Sequence, residues 1–230
     1  MSTLTAVDLT ERRLAAVARP RPVLDRDRER GLTDRQRELL DQLENLFADG
    51  FAELTMAELA SRLNCSLRTL YALAPSRDEL VLIAVDRHLW RIGRRAREAI
   101  DDDLTPLQAV RAYLNAATLA VSSWSTAFAR DLSAVPAARH LADAHTAYLY
   151  EVTRTLLDLA VERGEVAPVD TAAVARVLAG LGRFLSRPDI SPTLLSPPKH
   201  AADAIVDLVL RGMRSAGAAG RTEERHDGRR

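Results

Sequence analysis

One cysteine stands among 230 residues, so no disulfide can form within the chain. A lone thiol also fits a reducing compartment. Lysine is nearly missing too: Lys199 is the only one, and every other basic residue is arginine, which reads as a bias of genomic base composition. Aromatics are few, and no stretch alternates Val, Ile and Thr over strand length. Ala, Leu and Arg dominate instead, which favours helix over sheet. No apolar run approaches the length needed to cross a bilayer, and no signal-peptide core is visible, so a soluble, cytoplasmic protein without a membrane partner is expected. The formal net charge is zero, so binding to nucleic acid must rest on local charge. The motifs G-x-S-x-G, H-E-x-x-H, G-x-G-x-x-G and the P-loop are absent, which argues against an enzyme and leaves no catalytic residue or cofactor to assign. His140 and His145 flank Asp143, but five positions on a helix turn them about 140° apart, so no metal site is expected there.

What is present centres on Leu54 to Leu80. Thr55 and Glu58 have the spacing of a capping box for a helix starting at Met56, with Leu54 and Leu59 as its hydrophobic staple. That helix carries Leu59, Ala60 and Leu63 on one face and meets Asn64, which tolerates a left-handed backbone. Ser66 caps a second helix that turns Leu70 and Leu73 inward. Ala60 is small where two helices must cross closely. This is the packing pattern of a helix-turn-helix. A further helix start follows, with Pro75 ahead of Ser76 and Glu79 in a second capping-box spacing. Residues 61–77 hold Arg62, Arg68 and Arg77 and no acid.

Gly50-Phe51, Thr55, Ala60, Ser66, Thr69-Leu70-Tyr71, Pro75-Ser76-Arg77 and Leu80 together resemble the head of the tetracycline-repressor (TetR) family of bacterial regulators. Those proteins usually read G-F-x-x-x-T, then A-x-x-x-G-V-S-x-G-T-L-Y-x-H-F-P-S-K-E-x-L, and the chain aligns without a gap. Asn64, Cys65 and Arg68 replace the family's glycine, valine and second glycine. Leu73 and Ala74 stand where His-Phe is common, removing a polar group and a core aromatic. The resemblance implies an all-α fold, with a three-helix head and a six-helix bundle for effector binding and dimerisation. It implies a transcriptional regulator, most often a repressor, that acts as a homodimer on a near-palindromic operator in double-stranded DNA and answers to a small-molecule effector. The Leu73 and Ala74 departures leave a second reading open: a helical ligand-binding or scaffold protein that no longer reads DNA.

Along the chain, residues 1–30 combine seven arginines with five acids and two prolines; a turn or two of helix is expected over Thr10–Val17 and otherwise a mobile arm. It can follow DNA phosphates or remain a solvated tail, and the interspersed acids favour the tail. Residues 31–80 form the expected DNA-binding head, beginning with a helix from Thr33 to Ala48 that Gly50 ends. Residues 81–215 form the expected effector and dimerisation region. Helices are expected from Arg77 to Ile100, from Pro106 to Ser123, over Trp124–Leu132, from Pro136 to Arg163 with Gly164 as its stop, from Asp170 to Leu185, and from Lys199 to Arg214. Arg87, Arg91, Arg94, Arg95 and Arg97 read as a solvated face of the long helix after the head. Residues 216–230 are expected to be disordered.

On the second helix of the helix-turn-helix, the outward positions are Ser66, Leu67, Arg68, Thr69, Tyr71 and Ala72. Arg68 can take guanine O6 and N7 in bidentate fashion, and Leu67 or Ala72 can meet a thymine methyl. Thr55, Ser66, Thr69 and Tyr71 are expected as phosphate donors. By resemblance, Arg77 occupies the place of a phosphate-binding lysine. Trp90, Tyr113, Trp124, Phe128, His145 and Tyr148 are candidates to line an effector pocket. By resemblance the last two helices build the dimer, with Ala179, Gly180 and Gly182 permitting close approach and Ile205 and Leu208 facing the partner.

Overall fold

The computed structural model of the chain describes the backbone of residues 6–121 and 125–227, and the side chains of 9–119 and 125–214. Eleven α-helices and no strand occur among the described residues: α1 (Ala6–Ala16), α2 (Arg26–Gly31), α3 (Asp34–Phe47), α4 (Met56–Arg62), α5 (Leu67–Leu73), α6 (Arg77–Glu98), α7 (Pro106–Val121), α8 (Thr126–Ala134), α9 (Pro136–Glu162), α10 (Thr171–Leu185) and α11 (Pro198–Asp227). A short 3-10 turn, Ser191–Thr193, lies in the proline-rich loop before α11. The all-α expectation holds, and local chemistry sets most boundaries. Thr33 with Gln36 and Thr55 with Glu58 make complete capping boxes, and Asp170 accepts from the Ala173 amide at the start of α10.

Two compact units are present. The first, the head, combines Pro20–Ile92 with Ser123–His145. Its core gathers Leu39, Leu43 and Phe47 of α3, Leu59 of α4, Leu70 of α5, and Leu80, Ile83 and Ala84 of α6, together with Phe128, Leu132 and Ala138. The expected end of the head at residue 80 is therefore too early. The first turns of α6 bury their apolar side in this core, and α8 with the start of α9 does the same.

The second unit, the bundle, holds Met1–Arg19, Gly93–Ser122 and Thr146–Arg230. In it α7, α10 and α11 pack on one another. Its core includes Leu107, Val110, Tyr113, Val152, Leu156, Ala175 and Val206. Gly164 takes φ +68 behind α9, where the Glu165 amide bonds to the Ala160 carbonyl and the Gly164 amide to Val161. That pair of bonds is a Schellman stop, as the glycine implies.

Both ends of the chain differ from expectation. Residues 6–31 are not a mobile arm. Leu14 of α1 is 3% exposed in the bundle core, and Arg13 bonds Glu162 at 2.7 Å. Leu24 is 6% exposed in the head core, and the Val23 amide donates to Asp86 at 2.8 Å. The acids that suggest a solvated tail include a helix cap, Asp25, and a salt-bridge partner, Glu29. At the other end α11 does not stop near Arg214 but continues to Asp227, through a stretch whose Ala, Arg and Glu favour helix against Gly217 and Gly220. No helix among the described residues is long and apolar enough to cross a membrane.

Candidate nucleic-acid interface

The turn between α4 and α5 is built by Asn64, the only non-glycine residue with positive φ among those described, at +47°. The Cys65 amide bonds to the Ala60 carbonyl at 3.0 Å and the Asn64 amide to Ser61 at 3.2 Å. These two bonds close α4 in a Schellman motif, so asparagine does here what glycine does elsewhere. Leu59 and Leu70 are wholly buried on either side of the turn, and Ala60 lies between the crossing helices at 6% exposure. The turn is thus locked from the backbone outward. Cys65 is half-buried, and burial pushes its thiol upward, with Arg35 opposing, so the thiol stays protonated.

With Leu70 and Leu73 turned inward, α5 presents Ser66, Leu67, Arg68, Tyr71 and Ala72 to solvent, with Thr69 half-buried. Leu67 is 44% and Tyr71 52% exposed. A leucine and a tyrosine standing free beside an arginine make a surface suited to a groove, where base edges, methyls and phosphates meet. Ser66 caps the helix by accepting from the Thr69 amide, and the two hydroxyls lie 2.8 Å apart. The Thr55 hydroxyl donates to Glu58 at 2.8 Å, so it already has a partner in its own capping box. Leu73 and Ala74 are 4% and 1% exposed: both departures from the TetR pattern are core residues.

Arg77 opens α6, as the resemblance implies, and its guanidinium is engaged within the chain. Its guanidinium donates to three backbone carbonyls of the loop between α3 and α4: Leu54 at 2.7 Å, Phe51 at 2.5 Å and Ala52 at 2.6 Å. A fourth contact reaches Asp78 at 2.9 Å. A side chain so placed holds the loop. The same loop is gripped from its donor side by Asp131, whose Oδ2 accepts from the Phe51 and Ala52 amides at 2.6 and 2.8 Å. Gly50, at φ +104, has no side chain to obstruct this: a Cβ there would stand 3.0 Å from Asp131 Oδ2 and 3.1 Å from Ala127. The entry to the helix-turn-helix is therefore clamped by an acid on its N–H groups and a base on its carbonyls. No sequence signal marks Asp131, which lies about eighty residues from the loop.

Burial opposes ionisation of Asp131, but hydrogen bonds from Ala52, Phe51 and Arg130 outweigh it and hold the carboxyl below the usual range. A folded-state pKa below the unfolded one adds stability that is complete above about pH 4 and is lost as pH falls through the folded value. Asp131→Asn should therefore lower stability at pH 7 by roughly 1–3 kcal/mol in a urea titration. The gap to the unaltered protein should narrow steadily below about pH 4. A gap that stays constant into acid would exclude the carboxylate as its source.

The basic stretch of α6 is partly consumed within the head. Arg87 meets Glu29 at 2.5 Å, Asp41 at 3.1 Å and Glu44 at 3.5 Å, and Arg91 also pairs with Glu44. Glu44 is 6% exposed, so the two arginine pairs it makes reach into the core, while Glu29 and Asp41 stay exposed.

The effector candidates fall in both units. Trp90 and His145 touch edge-to-face at 5.4 Å in the head, where His145 also meets Asp86 at 3.2 Å. Phe128 is core, packed on Phe51 at 5.6 Å. Tyr113 and Tyr148 belong to the other unit, buried in its core, and burial drives the Tyr113 hydroxyl pKa upward, with Tyr148 adding to the shift. Trp124 lies outside the described residues. A cleft of about 380 Å3 in the bundle unit is lined by none of the six, but by charged groups including Glu11, Arg97, Asp102 and Arg163.

The dimer candidates divide too. Gly180 has open space beside it, and Ile205 and Leu208 are 36% and 65% exposed. Ala179 is buried, and Gly182 packs on Thr118 of its own α7. Their small size serves packing within the chain. Val177 and Phe184, 61% and 49% exposed, share the outward stripe of α10 with Gly180, and the i, i+3, i+7 spacing is the signal that could have found them.

An all-helical chain whose head is a helix-turn-helix with an exposed face on its second helix defines a class, and solved structures give that class a name. A TetR-like transcriptional regulator from Rhodococcus sp. RHA1 is 25% identical, with 81% of this chain and 96% of that one covered, at TM-score 0.56. A TetR transcription regulator from Haloarcula marismortui is 16% identical over 79% of this chain and 99% of that one, at TM-score 0.66. AibR, solved in complex with isovaleryl coenzyme A and operator DNA, is 17% identical over 76% and 97%, at TM-score 0.57. No protein-family model matches the chain, and no curated protein does. The chain has the fold of the TetR-family regulators.

Proposed function

We propose that this chain is a homodimeric, sequence-specific DNA-binding regulator, a repressor whose grip on its operator is relieved by a small-molecule effector. One observation carries the reading: α5 stands open behind a locked turn, with Arg68, Leu67 and Tyr71 exposed and no acid beside them. Arg68 reads guanine, Leu67 and Ala72 meet thymine methyls, and Ser66, Thr69 and Tyr71 hold phosphates. The effector side of the reading is supported by AibR, which shares the fold and was solved with an acyl coenzyme A and operator DNA. Within the head, Trp90 and His145 of the expected pocket lie edge-to-face, and in the bundle unit Tyr113 and Tyr148 share one core.

A single head holds DNA weakly, and a two-fold pair is what a near-palindromic site requires. The exposed stripe of Val177, Gly180 and Phe184 on α10, with Ile205 and Leu208 on α11, is the apolar surface such a pair would bury. Leu208→Glu places a charge in that surface. Light scattering should then show the mass fall from twice the chain mass of 25.3 kDa to that mass itself, with operator affinity down by roughly a hundredfold. An unaltered mass would move the interface elsewhere. The DNA reading itself is tested by anisotropy titration of a candidate operator against scrambled duplex of equal length. Equal affinity for both would favour the scaffold reading.

A further inference from the structure

The contacts of α2 with the recognition helix have no counterpart in the motif that suggests the fold. α2 is a helix of six residues whose start is capped by Asp25, which accepts from the Asp27 and Arg28 amides. Just before it, Leu24 is buried in the head core and the Val23 amide is held by the buried carboxylate of Asp86. Asp86 accepts in turn from His145 Nε2. Within α2, Glu29 bonds Arg87 of α6. The segment is thus fixed through Val23, Leu24 and Glu29, and Arg28 reaches from it to the end of α5.

Arg28 Nη2 donates to the backbone carbonyl of Leu73 at 3.3 Å, while Nη1 pairs with Glu79 at 3.1 Å. Leu73 is the last residue of α5. The final carbonyls of a helix lack partners within it, and the helix dipole makes that end negative. A cation that donates there satisfies the group and the dipole together. α5 is only seven residues long, so a hold on its last turn is a hold on the whole reading surface.

From this geometry we infer that residues 20–31 are a brace for the recognition helix, with Arg28 as the positioning residue that caps the C-terminal end of α5. The brace rests on the reading of α5 as the DNA-recognition helix, but its physical content exists in the free protein. The Glu79 carboxylate aims the guanidinium, Asp86 and Leu24 anchor the segment, and Arg28 transmits that anchorage to Leu73. Arg28 holds the helix whose exposed side chains read bases. It is not placed against DNA.

The test is amide hydrogen exchange on the full-length protein without DNA, comparing the unaltered chain with Arg28→Ala and Arg28→Lys. Arg28→Ala should speed exchange of the Tyr71 to Ala74 amides by roughly tenfold, while the amides of α3 and of α6 stay as they were. Arg28→Lys keeps the charge but cannot serve Glu79 and Leu73 with two prongs, so it should restore part of the protection. Unchanged exchange at Tyr71 to Ala74, or an increase spread evenly over the head, would overturn the brace. In the same preparations Arg28→Ala should reduce the ratio of operator to random-DNA affinity by roughly tenfold. If the unaltered protein shows no such ratio while the local exchange effect is present, the DNA reading fails and the brace stands.

Discussion

Arg77→Ala should destabilise the head before it affects any contact with DNA. The substitution strips the Leu54, Phe51 and Ala52 carbonyls of their common donor in one step. Water can reach part of this loop, since the Arg77 side chain is 26% exposed. A cost of roughly 2–4 kcal/mol is therefore expected in a denaturant titration, near the top of the range for a single surface-accessible change. Arg77→Lys should recover little, because one ammonium cannot span three carbonyls in the way a planar fork does. The loop leads straight into α4, so operator binding should fall as well, in step with the loss of folded protein. The phosphate role that the resemblance implies makes a different forecast: unchanged stability, weaker binding to every sequence and a salt slope shallower by about one. That second pattern would return Arg77 to the DNA.

Arg68→Ala should do the reverse. Arg68 is exposed on α5 with no hydrogen bond or ion pair to another side chain described, so truncation should leave the melting behaviour within about 0.5 kcal/mol. Operator affinity should fall by about 10- to 100-fold, the range of one bidentate arginine–guanine pair. Affinity for random duplex should fall far less, by the share of one charge in the counterion term. Equal losses on operator and random DNA would make Arg68 a phosphate contact and pass base reading to Leu67, Tyr71 and Ala72. The two arginines are nine positions apart and similar in sequence context, yet stability and specificity separate them.

That contrast shows how far the sequence reaches. Whatever is decided within three or four residues was legible: the helix start at Thr33, the Thr55 capping box, the Asn64 turn with its positive φ, the Gly50 and Gly164 stops, and Asp170 at the start of α10. The outward set on α5 follows from the same local logic, because burying Leu70 and Leu73 fixes the opposite face. What depends on a distant partner was not legible. The amides that Asp131 holds lie about eighty positions from it, and Arg77 looks the same in sequence whether it faces a phosphate or a loop. The capping box expected at Ser76 is half made for the same reason: the Ser76 hydroxyl accepts from the Glu79 amide, but the Glu79 carboxylate serves Arg28. Ala179 and Gly182 carry the ambiguity of all small residues, since close approach to a neighbour in the same chain and to a second chain call for the same side chain. Residues 1–30 read as largely solvated because charge composition averages over acids such as Asp25 and Glu29 that have individual partners.

The central claim is that the exposed face of α5 reads a particular sequence in duplex DNA. It is tested most directly by letting the purified full-length protein select from fragments of genomic DNA at about 0.15 M salt, with competitor in excess to suppress the charge-driven background. Recovery of one near-palindrome, whose enrichment disappears with Arg68→Ala and persists with Lys199→Ala, is the predicted result. Recovery of fragments with no common sequence, all lost in step as competitor rises, would contradict it.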